Sequence, residues 1–284
     1  MRHHAAAQPS AVGGTPGHHM AYEFDGKKYQ TASSHQQEWG LRLIQELNLA
    51  GSEEILDLGC GDGRLTARLA ELVPRGRVVG IDASAGMIAA ARQHQAKASH
   101  LAFLLRDITE LDFDSEFDIV FSNATLHWVK NHQPLLGNLY RTLKPGGVLR
   151  VNFAADGNCR TFFKVVREAM EQPSFAPYFS RFPWPWYMPT VDEYSTLVDQ
   201  IPFAEAHVWG ENADRSFPDR DSLIKWIDQP SLVPFLQSVP DDTKDQFRCW
   251  VIAHMLAETQ QDDGTCFERF RRLNIFAKKQ CAKG

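Results

Sequence analysis

Short apolar runs alternate with amphipathic stretches between residues 51 and 155. The apolar runs favour buried strands, and the stretches between them carry apolar residues at helical spacing. Strands that alternate with helices predict an α/β fold, a doubly wound parallel sheet that binds ligands at the carboxyl ends of its strands. The predicted strands are "EEILDLG", "RVVGIDA", "LAFLLRDI", "FDIVFSNAT" and "VLRVNFA". The predicted helices are "RLTARLAELV", "SAGMIAAARQHQAK" with Ser84 as its N-cap, and "QPLLGNLYRTL", which "KPGG" ends.

The remainder of the chain shows no such alternation. Residues 1–20 carry histidine pairs among small residues and are interpreted as an expression tag and linker. Residues 21–50 predict an irregular lead and then a helix over "LRLIQELNL". Residues 156–284 predict a cap or lid of helices and an aromatic segment, with C-terminal strands that complete the sheet. The elements predicted there are helices at "CRTFFKVVREAM", "VDEYSTLVDQ", 221–228 and 241–258, and strands at "EAHVWGE" and "RRLNIFAKK".

Composition and charge narrow the class of protein. Hydrophobic residues make up 43% of the 284 residues, which supports a sizeable core. The net charge of −5 gives no basis for binding a polyanion, and no apolar run reaches the roughly 18 residues of a membrane span. The five cysteines follow no metal-ligand spacing and suit a reducing compartment. We therefore expect a soluble, cytoplasmic monomer or homodimer that binds neither nucleic acid nor membranes and holds no metal.

Three glycines follow the first predicted strand in "ILDLGCGDGRL", residues 55–65. A phosphate-binding P-loop would need a lysine and a hydroxyl residue after the last glycine, and neither is present. A dinucleotide fingerprint would need a glycine where Arg64 stands. The spacing is GxGxG after Asp57, which resembles motif I of the class I S-adenosylmethionine-dependent methyltransferases. Asp57 either caps this turn or faces the ammonium group of the cofactor, directly or through water.

Further motifs are similar to those of the same family and occur in its order. Asp82 ends the second strand, where a carboxylate can accept both hydroxyls of a ribose. "RDI" at 106–108, "SNATLHWV" at 122–129 and "LKPGG" at 143–147 match the family's later motifs. The resemblance implies a Rossmann-like, seven-stranded, mostly parallel sheet in which "RRLNIFAKK" is antiparallel. It also implies S-adenosylmethionine as the cofactor and S-adenosylhomocysteine as its product.

The resemblance also assigns roles to single residues. Asp107 and Ile108 meet the adenine edge, Met87 packs on the adenine face, and Asn123 and Ala124 lie beside the methionine moiety. A purely structural role stays open for Asp107 and Met87, because carboxylates are common at strand ends and methionines are common in helix cores. The cofactor residues predicted in this way are Tyr29, His35, Asp57, Gly59, Cys60, Gly61, Asp82, Ala83, Met87, Asp107, Ile108, Asn123 and Ala124.

Two short segments bear on the methyl acceptor. "KKYQTASSHQQEW" and "LHWV" resemble the branch of the family that methylates small carboxylic acids, the trans-aconitate and juvenile hormone acid methyltransferases. The resemblance implies that Gln36 and Trp128 hold the acceptor carboxylate through N–H groups and that Tyr29 lies over the sulfonium. A carboxylate acceptor needs no general base, because it is already anionic. O-methylation of a small carboxylic acid is the first hypothesis. N- or C-methylation of another metabolite and a non-catalytic cofactor-binding protein are the alternatives.

Two histidines and an aromatic segment complete the predicted site. His35 and His127 are candidate acid–base or cofactor-binding groups, although a histidine near a strand end can equally hydrogen-bond backbone. The catalytic residues that we predict are Gln36, Trp128 and His127. In "FPWPWYMP", residues 182–189, prolines fix an extended chain that carries Trp184, Trp186 and Tyr187. These three aromatic residues either line the acceptor pocket on a lid or belong to a stiff connection packed on the sheet.

Overall fold

The computed structural model describes residues 34–95 and 98–282. The residues interpreted as a tag, 1–20, lie outside these ranges. The strands are β1 Glu54–Leu58, β2 Arg77–Asp82, β3 Leu101–Leu105, β4 Phe117–Asn123, β5 Leu143–Ala154, β6 Phe203–Asn212, β7 Arg215–Phe217, β8 Cys266–Glu268 and β9 Arg271–Lys279. The α-helices are α1 Ser34–Gln45, α2 Arg64–Leu72, α3 Ala85–Gln95, α4 His132–Thr142, α5 Arg160–Glu171, α6 Ala176–Phe179, α7 Val191–Val198, α8 Arg220–Trp226, α9 Val233–Leu236 and α10 Asp241–Thr259.

Seven of the strands form one sheet in the order β3-β2-β1-β4-β5-β9-β6. β1 to β5 pair in parallel, and β9 lies antiparallel between β5 and β6. The strand order reverses between β1 and β4, which is the switch point where open α/β sheets bind ligands. This topology confirms the predicted Rossmann-like, mostly parallel, seven-stranded sheet with an antiparallel last strand. β7 and β8 form a separate two-stranded ribbon that the sequence pattern did not predict.

Both faces of the central strands are buried. Ile55 packs on the α1–α3 side with Leu43 and Leu69, whereas its neighbour Leu56 packs on the α4 and α7 side with Leu139. Successive strand residues point to opposite faces, so a strand that is covered on both sides must be apolar throughout. This explains why the strands appear in the sequence as continuous apolar runs.

Helix α1 begins earlier than the sequence pattern predicts. The prediction placed an irregular lead up to Gly40 and a helix from Leu41, but the helix begins at Ser34. A Cβ at Gly40 would lie 2.2 Å from Leu65 Cδ1 and 3.1 Å from Asn123 Nδ2. Gly40 therefore lets α1 approach α2 and the end of β4 closely, which brings Gln36 and Trp39 to the edge of the sheet.

The C-terminal residues build a second apolar core beside the sheet. Helices α5, α8 and α10 pack around buried aromatic side chains that include Phe162, Phe235 and Phe247. Trp39 of α1 belongs to the same cluster, so this core is continuous with the edge of the sheet. Among the described helices, none is both long enough and apolar enough to cross a membrane.

Candidate active site

A cavity of about 540 Å³ lies at the carboxyl edge of the sheet, between the sheet and the C-terminal core. That volume is typical of sites for small molecules. We divide its wall into two parts. The sheet-edge half is formed by Gly59, Gly61, Asp82, Ala83, Ser84, Met87, Asp107, Ile108, Asn123, Ala124 and Thr125. The aromatic half includes Trp39, His127, Trp128, Phe162, Phe163, Trp184, Trp186, Met188, Trp226, Phe270 and Arg272.

The glycine loop between β1 and α2 gives the sheet-edge half its open backbone. Gly59 has φ +66° and Gly61 has φ +56°, a region that favours glycine. A Cβ at Gly59 would lie 2.1 Å from Thr125 Cγ2, so this glycine is required for packing. A Cβ at Gly61 would meet nothing within 4 Å, although Gly61 lines the cavity. The space beside Gly61 is therefore available to a ligand that touches the backbone.

Asp82 stands at the end of β2 with its carboxylate fixed by backbone. Oδ2 accepts from the N–H of Gly61 at 2.9 Å, and Oδ1 accepts from the N–H of Ser84 at 2.9 Å. Ser84 in turn caps α3, because its Oγ accepts from the N–H of Met87 at 3.3 Å. The loop, the carboxylate and the helix start are thus held together, with Asp82 and Met87 both on the cavity wall.

Asp107 has a similar position after β3. Its Oδ1 accepts from both the N–H and the Oγ1 of Thr109, each at 2.8 Å, and so caps the 3₁₀ turn Ile108–Glu110. Asp107 and Ile108 line the cavity. Asp107 therefore has a structural role as well as a place in the wall, and the two interpretations offered by the sequence are compatible.

Buried polar atoms without partners gather where α1 meets the end of β4. Asn123 Nδ2 donates to the backbone oxygen of Gln36 at 2.8 Å, which fixes the amide and leaves Asn123 Oδ1 buried. Asn123 Oδ1, Gln36 Oε1 and His127 Nδ1 have no hydrogen-bond partner among the described residues. Such a group costs about 1–3 kcal/mol when left unsatisfied. All three residues line the cavity, so a bound ligand could supply the partners.

His127 is held in its neutral form. Burial lowers the pKa of the imidazole well below its ordinary value, and the positive charge of Arg272 lowers it further. The ring of Trp128 lies 5.6 Å from the ring of His127, and the ring of Trp186 lies 5.4 Å from that of Trp128. A neutral imidazole and an indole therefore stand together at the junction of the two halves.

Arg272 is a site residue that the sequence analysis missed. Its side chain is buried, with 4% of the residue exposed. Nε donates to Asn152 Oδ1 at 2.7 Å, and the guanidinium lies 4.6 Å from the centre of the Trp39 ring. A signal was available, because Arg272 and Asn274 alternate with apolar residues in a strand that must be buried on both faces. The other missed wall residues that matter here are Trp39, Phe162, Phe163, Lys130, Trp226 and Phe270.

The charges on the wall are separated along the sheet. In the described wall the two carboxylates are Asp82, which ends β2, and Asp107, which follows β3. Arg272 lies on β9, and Lys130, whose ammonium donates to the backbone of the aromatic segment, lies after β4. β2 and β9 are four positions apart in the strand order, which corresponds to roughly 19 Å at the usual strand spacing. One end of the cavity thus favours hydroxyl and amino groups, and the other favours an anion.

The aromatic segment is a wall of the cavity rather than a connection packed on the sheet. Trp184 and Trp186 line the cavity, and Lys130 Nζ donates to the backbone oxygens of both, at 2.9 Å in the case of Trp186. Tyr187 is the exception and corrects the prediction. Its ring does not line the cavity but packs 4.8 Å from the ring of His132, on the opposite core.

Two further predicted residues do not reach the cavity wall with their side chains. Asp57 is buried and accepts from Thr66 Oγ1 at 2.7 Å. Burial raises the pKa of Asp57 to about 7. Cys60 packs in the core on the α1–α3 side while its N–H donates to the oxygen of Ile81. Tyr29 lies outside the described residues, and the side chain of His35 is likewise not described.

The proteins that resemble this chain in sequence are methyltransferases. A family model described as a methyltransferase domain matches residues 56–151. An uncharacterized methyltransferase of Schizosaccharomyces pombe is 30% identical over 272 residues, which cover 90% of this chain and 98% of that protein. A trans-aconitate 2-methyltransferase of Deinococcus radiodurans is 34% identical over 188 residues, which cover 64% of this chain and 70% of that protein.

Solved structures agree on the fold. Haemonchus contortus phosphoethanolamine N-methyltransferase 2, in complex with phosphomonomethylethanolamine and S-adenosylhomocysteine, superimposes with a TM-score of 0.57 at 21% identity. The match covers 90% of this chain and 57% of that chain. The chain therefore belongs to the class I S-adenosylmethionine-dependent methyltransferases. Within that class, its relatives include the trans-aconitate 2-methyltransferases.

Proposed function

We propose that this methyltransferase O-methylates the carboxylate of a small organic acid. The observation that carries the proposal is the separation of charge along the cavity, with carboxylates at the sheet-edge half and the buried guanidinium of Arg272 at the aromatic half. A buried cation attracts and orients an anionic acceptor. The names of the relatives point in the same direction, because aconitate is a carboxylic acid.

The sheet-edge half fits S-adenosylmethionine. In this proposal Asp82 accepts the ribose hydroxyls, and Asp107, Ile108 and Met87 surround the adenine. The space beside Gly61, which even a Cβ would leave open, admits the amino acid portion. Asn123 Oδ1, a buried acceptor without a partner among the described residues, suits the cofactor's ammonium group.

Methyl transfer to a carboxylate requires little of the aromatic half beyond positioning the acceptor. When bound, S-adenosylmethionine supplies a methyl group on a sulfonium, so that a C–O bond to the acceptor forms as the C–S bond breaks and the electron pair stays on sulfur. A carboxylate acceptor releases no proton in this exchange. Gln36 and Trp128 then act by orienting the acceptor, and the aromatic half acts by excluding water.

Two alternatives remain for the same site. Methylation of an amine or another protonated acceptor would need a proton acceptor, and the neutral imidazole of His127, with Nδ1 unpartnered among the described residues, could serve. A protein that binds the cofactor without catalysis is the second alternative. The buried Nδ1 of His127, which has no partner among the described residues, argues against it, because a methyl acceptor beside the cofactor would supply that partner.

The test is a methyl-transfer screen with S-adenosylmethionine labelled in its methyl group. Matched carboxylic acids, primary amides and amines are incubated with the enzyme, and methylated products and S-adenosylhomocysteine are measured by mass spectrometry. The proposal predicts methyl esters from acids and no product from the amides. Product from amines alone would replace it with N-methylation, and cofactor binding without any product would favour a non-catalytic role.

A further inference from the structure

The 3₁₀ turn Leu126–Trp128 carries two of the residues that we predict to act on the acceptor, His127 and Trp128, and both line the cavity. At the end of the turn the N–H of Val129 donates to the backbone oxygen of Leu126 at 2.9 Å. A single turn closes few hydrogen bonds of its own, so its remaining backbone groups need partners from elsewhere. Those partners decide how the turn presents its side chains.

A buried histidine, His132, binds backbone oxygens at both ends of this turn. His132 is the first residue of α4, and its Nε2 lies 3.0 Å from the backbone oxygen of Leu126 and 3.1 Å from that of Val129. These two residues stand on either side of His127 and Trp128 in the chain. The imidazole therefore ties together the start and the end of the segment that faces the cavity.

The contacts of His132 define which ring nitrogen carries the hydrogen. A backbone oxygen accepts and cannot donate, so Nε2 carries the hydrogen and donates to both oxygens. Burial lowers the pKa of His132 to about 4, so the ring is neutral at pH 7 and Nδ1 carries no hydrogen. Tyr194 Oη, 2.8 Å from Nδ1, therefore donates to it. The tautomer with hydrogen on Nε2 satisfies all three contacts.

Packing fixes the ring of His132 in place. The residue is 2% exposed, and its ring lies 5.5 Å from the ring of Phe153 and 4.8 Å from that of Tyr187. The N–H of Tyr187 donates to the backbone oxygen of His127 at 2.8 Å, so the aromatic segment is attached to the same turn. The hydrogen-bond donor at Nε2 thus has a defined position, and the turn is held against it.

We propose that His132 is a positioning residue for methyl transfer, whose Nε2–H holds the turn so that Trp128 and His127 face the acceptor. The inference rests on the proposed function, which places the acceptor beside Trp128. His132 lies behind the turn, outside the described cavity wall, and acts through the backbone of its neighbours. Because a misplaced acceptor reacts much more slowly, loss of this donor lowers turnover more than it lowers cofactor affinity.

Two substitutions of His132 separate the roles of its ring nitrogens. A glutamine amide reaches the position of Nε2 and can donate to the same backbone oxygens, whereas an asparagine amide reaches only the position of Nδ1. Tyr194→Phe removes the contact at Nδ1 and leaves Nε2 in place. With trans-aconitate as the acceptor, we expect kcat to fall about tenfold or more in His132→Asn and to stay within about threefold in His132→Gln and Tyr194→Phe.

The matched control is His100→Asn. His100 Nε2 also lies 3.0 Å from a backbone oxygen, that of Ala70 in α2, but His100 is outside the described cavity wall. We expect this variant to keep the turnover of the unaltered enzyme. The dissociation constant of S-adenosylhomocysteine, measured by calorimetry, should stay within about twofold in all four variants.

An NMR measurement follows the turn without any acceptor. Of the indole N–H signals of the 7 tryptophans, the signal of Trp128 is the one that Trp128→Phe removes. We expect this signal to shift further in His132→Asn than in His132→Gln or Tyr194→Phe, because only the asparagine variant releases the turn. In the unaltered enzyme with isotope-labelled histidine, the ring signals of His132 should show the hydrogen on Nε2.

A purely structural role for His132 would give a different pattern. Turnover would then fall equally in His132→Asn, His132→Gln and Tyr194→Phe, in step with a lower midpoint of urea unfolding, and that result would overturn the inference. If His132→Asn does not fold, the unaltered enzyme still decides, because a hydrogen on Nδ1 instead of Nε2 contradicts the assigned contacts.

Failure of the proposed function has its own signature. Full turnover in Trp128→Phe would contradict the acceptor role of Trp128 and overturn the inference with it. No ester from trans-aconitate, while the cofactor binds, would count against the small-acid acceptor. The indole signal of Trp128 would then still decide whether His132 holds the turn.

Discussion

Each end of the cavity has a charged residue that backbone or amide groups hold in place. Asp82 is fixed by the N–H groups of Gly61 and Ser84, and Arg272 is fixed by Asn152. Fixed charges recognise a ligand without having to be ordered when it binds. Most of the expected effects at single residues follow from this arrangement.

Gln36 is expected to affect turnover more than cofactor binding. In Gln36→Ala the backbone oxygen that accepts from Asn123 remains, so α1 keeps its attachment to β4. We expect kcat/KM to fall about tenfold, because one hydrogen bond to the acceptor is lost, with the dissociation constant of S-adenosylhomocysteine changed less than about twofold. Steady-state kinetics and calorimetry measure the two effects.

The control for this variant is Gln37→Ala. Gln37 is the next residue on α1, and its Oε1 accepts from Arg64 Nη1 at 2.9 Å, away from the cavity wall. We expect its turnover to match that of the unaltered enzyme. Equal losses in the two variants would mean that α1 had been disturbed and would remove the role assigned to Gln36.

His132 gives the protein a stability that depends on pH. Burial lowers the pKa of His132 to about 4, and the neutral ring faces Tyr194 Oη at 2.8 Å and the oxygen of Leu126 at 3.0 Å. The unfolded chain protonates this histidine near pH 6.5, so its contribution is fully present above that pH and is lost as the pH falls toward 4. The loss amounts to about 3 kcal/mol over this interval.

Urea unfolding of the unaltered protein and of His132→Gln, at several pH values between 7.5 and 4.5, isolates this contribution from those of other groups. The difference in free energy of unfolding between the two proteins should shrink as the pH falls. A difference that is independent of pH would contradict the neutral, buried state of His132.

At the scale of elements, close packing of α1 is what completes the cavity. Gly40→Ala would place a Cβ 2.2 Å from Leu65 Cδ1 and 3.1 Å from Asn123 Nδ2, so either the side chain of Leu65 must move or α1 must shift away from α2. We expect a loss of about 1–3 kcal/mol in the free energy of unfolding, the usual cost of overpacking, together with weaker cofactor binding because Asn123 contacts α1. Chemical denaturation and calorimetry check both effects.

The matched control is Gly137→Ala in α4. A Cβ at Gly137 would meet nothing within 4 Å, so the substitution should stabilise the helix by about 0.5–1 kcal/mol through its higher helix propensity. A stabilising effect of Gly40→Ala as well would show that α1 tolerates the extra methyl group and does not approach α2 as closely as described.

Some elements could be predicted from the sequence and others could not, for physical reasons. The strands β1, β2 and β4 are buried on both faces, so they appear as apolar runs, and the glycine spacing after β1 marks the loop beside the cavity. The start of α1 could not be predicted, because the packing partner that requires Gly40 is distant in sequence. β7 and β8 are three residues each, too short to show a pattern.

The same distinction applies to the site residues. Asp82, Met87, Asp107 and Asn123 lie in motifs next to strand ends and were predicted to share a site, and the structure brings them to one cavity wall. Arg272 was missed because its place in the cavity depends on β9 entering the sheet beside β5. Tyr187 was assigned to the pocket with Trp184 and Trp186 because all three offer rigid apolar surface. Alternate residues of an extended segment face opposite sides, so Tyr187 packs on His132 instead.

For the molecule as a whole, the fold brings two chemically different ends into one cavity. The parallel strands β1 to β4 provide the carboxylates and the open glycine loop, and the C-terminal core with β9 provides the rings and the cation. Methyl transfer needs both ends at once, because the cofactor and the acceptor must meet in a site without water. The sheet-edge half must therefore bind the cofactor if this cavity is to transfer a methyl group.

Calorimetric titration of S-adenosylhomocysteine into the unaltered enzyme, Asp82→Ala and Asp156→Ala tests that claim most directly. Asp156 is an exposed carboxylate just after β5 and is outside the cavity wall. We predict micromolar binding to the unaltered enzyme and to Asp156→Ala, and affinity at least about 30-fold weaker in Asp82→Ala, because charge-assisted hydrogen bonds to the ribose are lost. Equal affinity in all three proteins would contradict the assignment of the cofactor to this cavity.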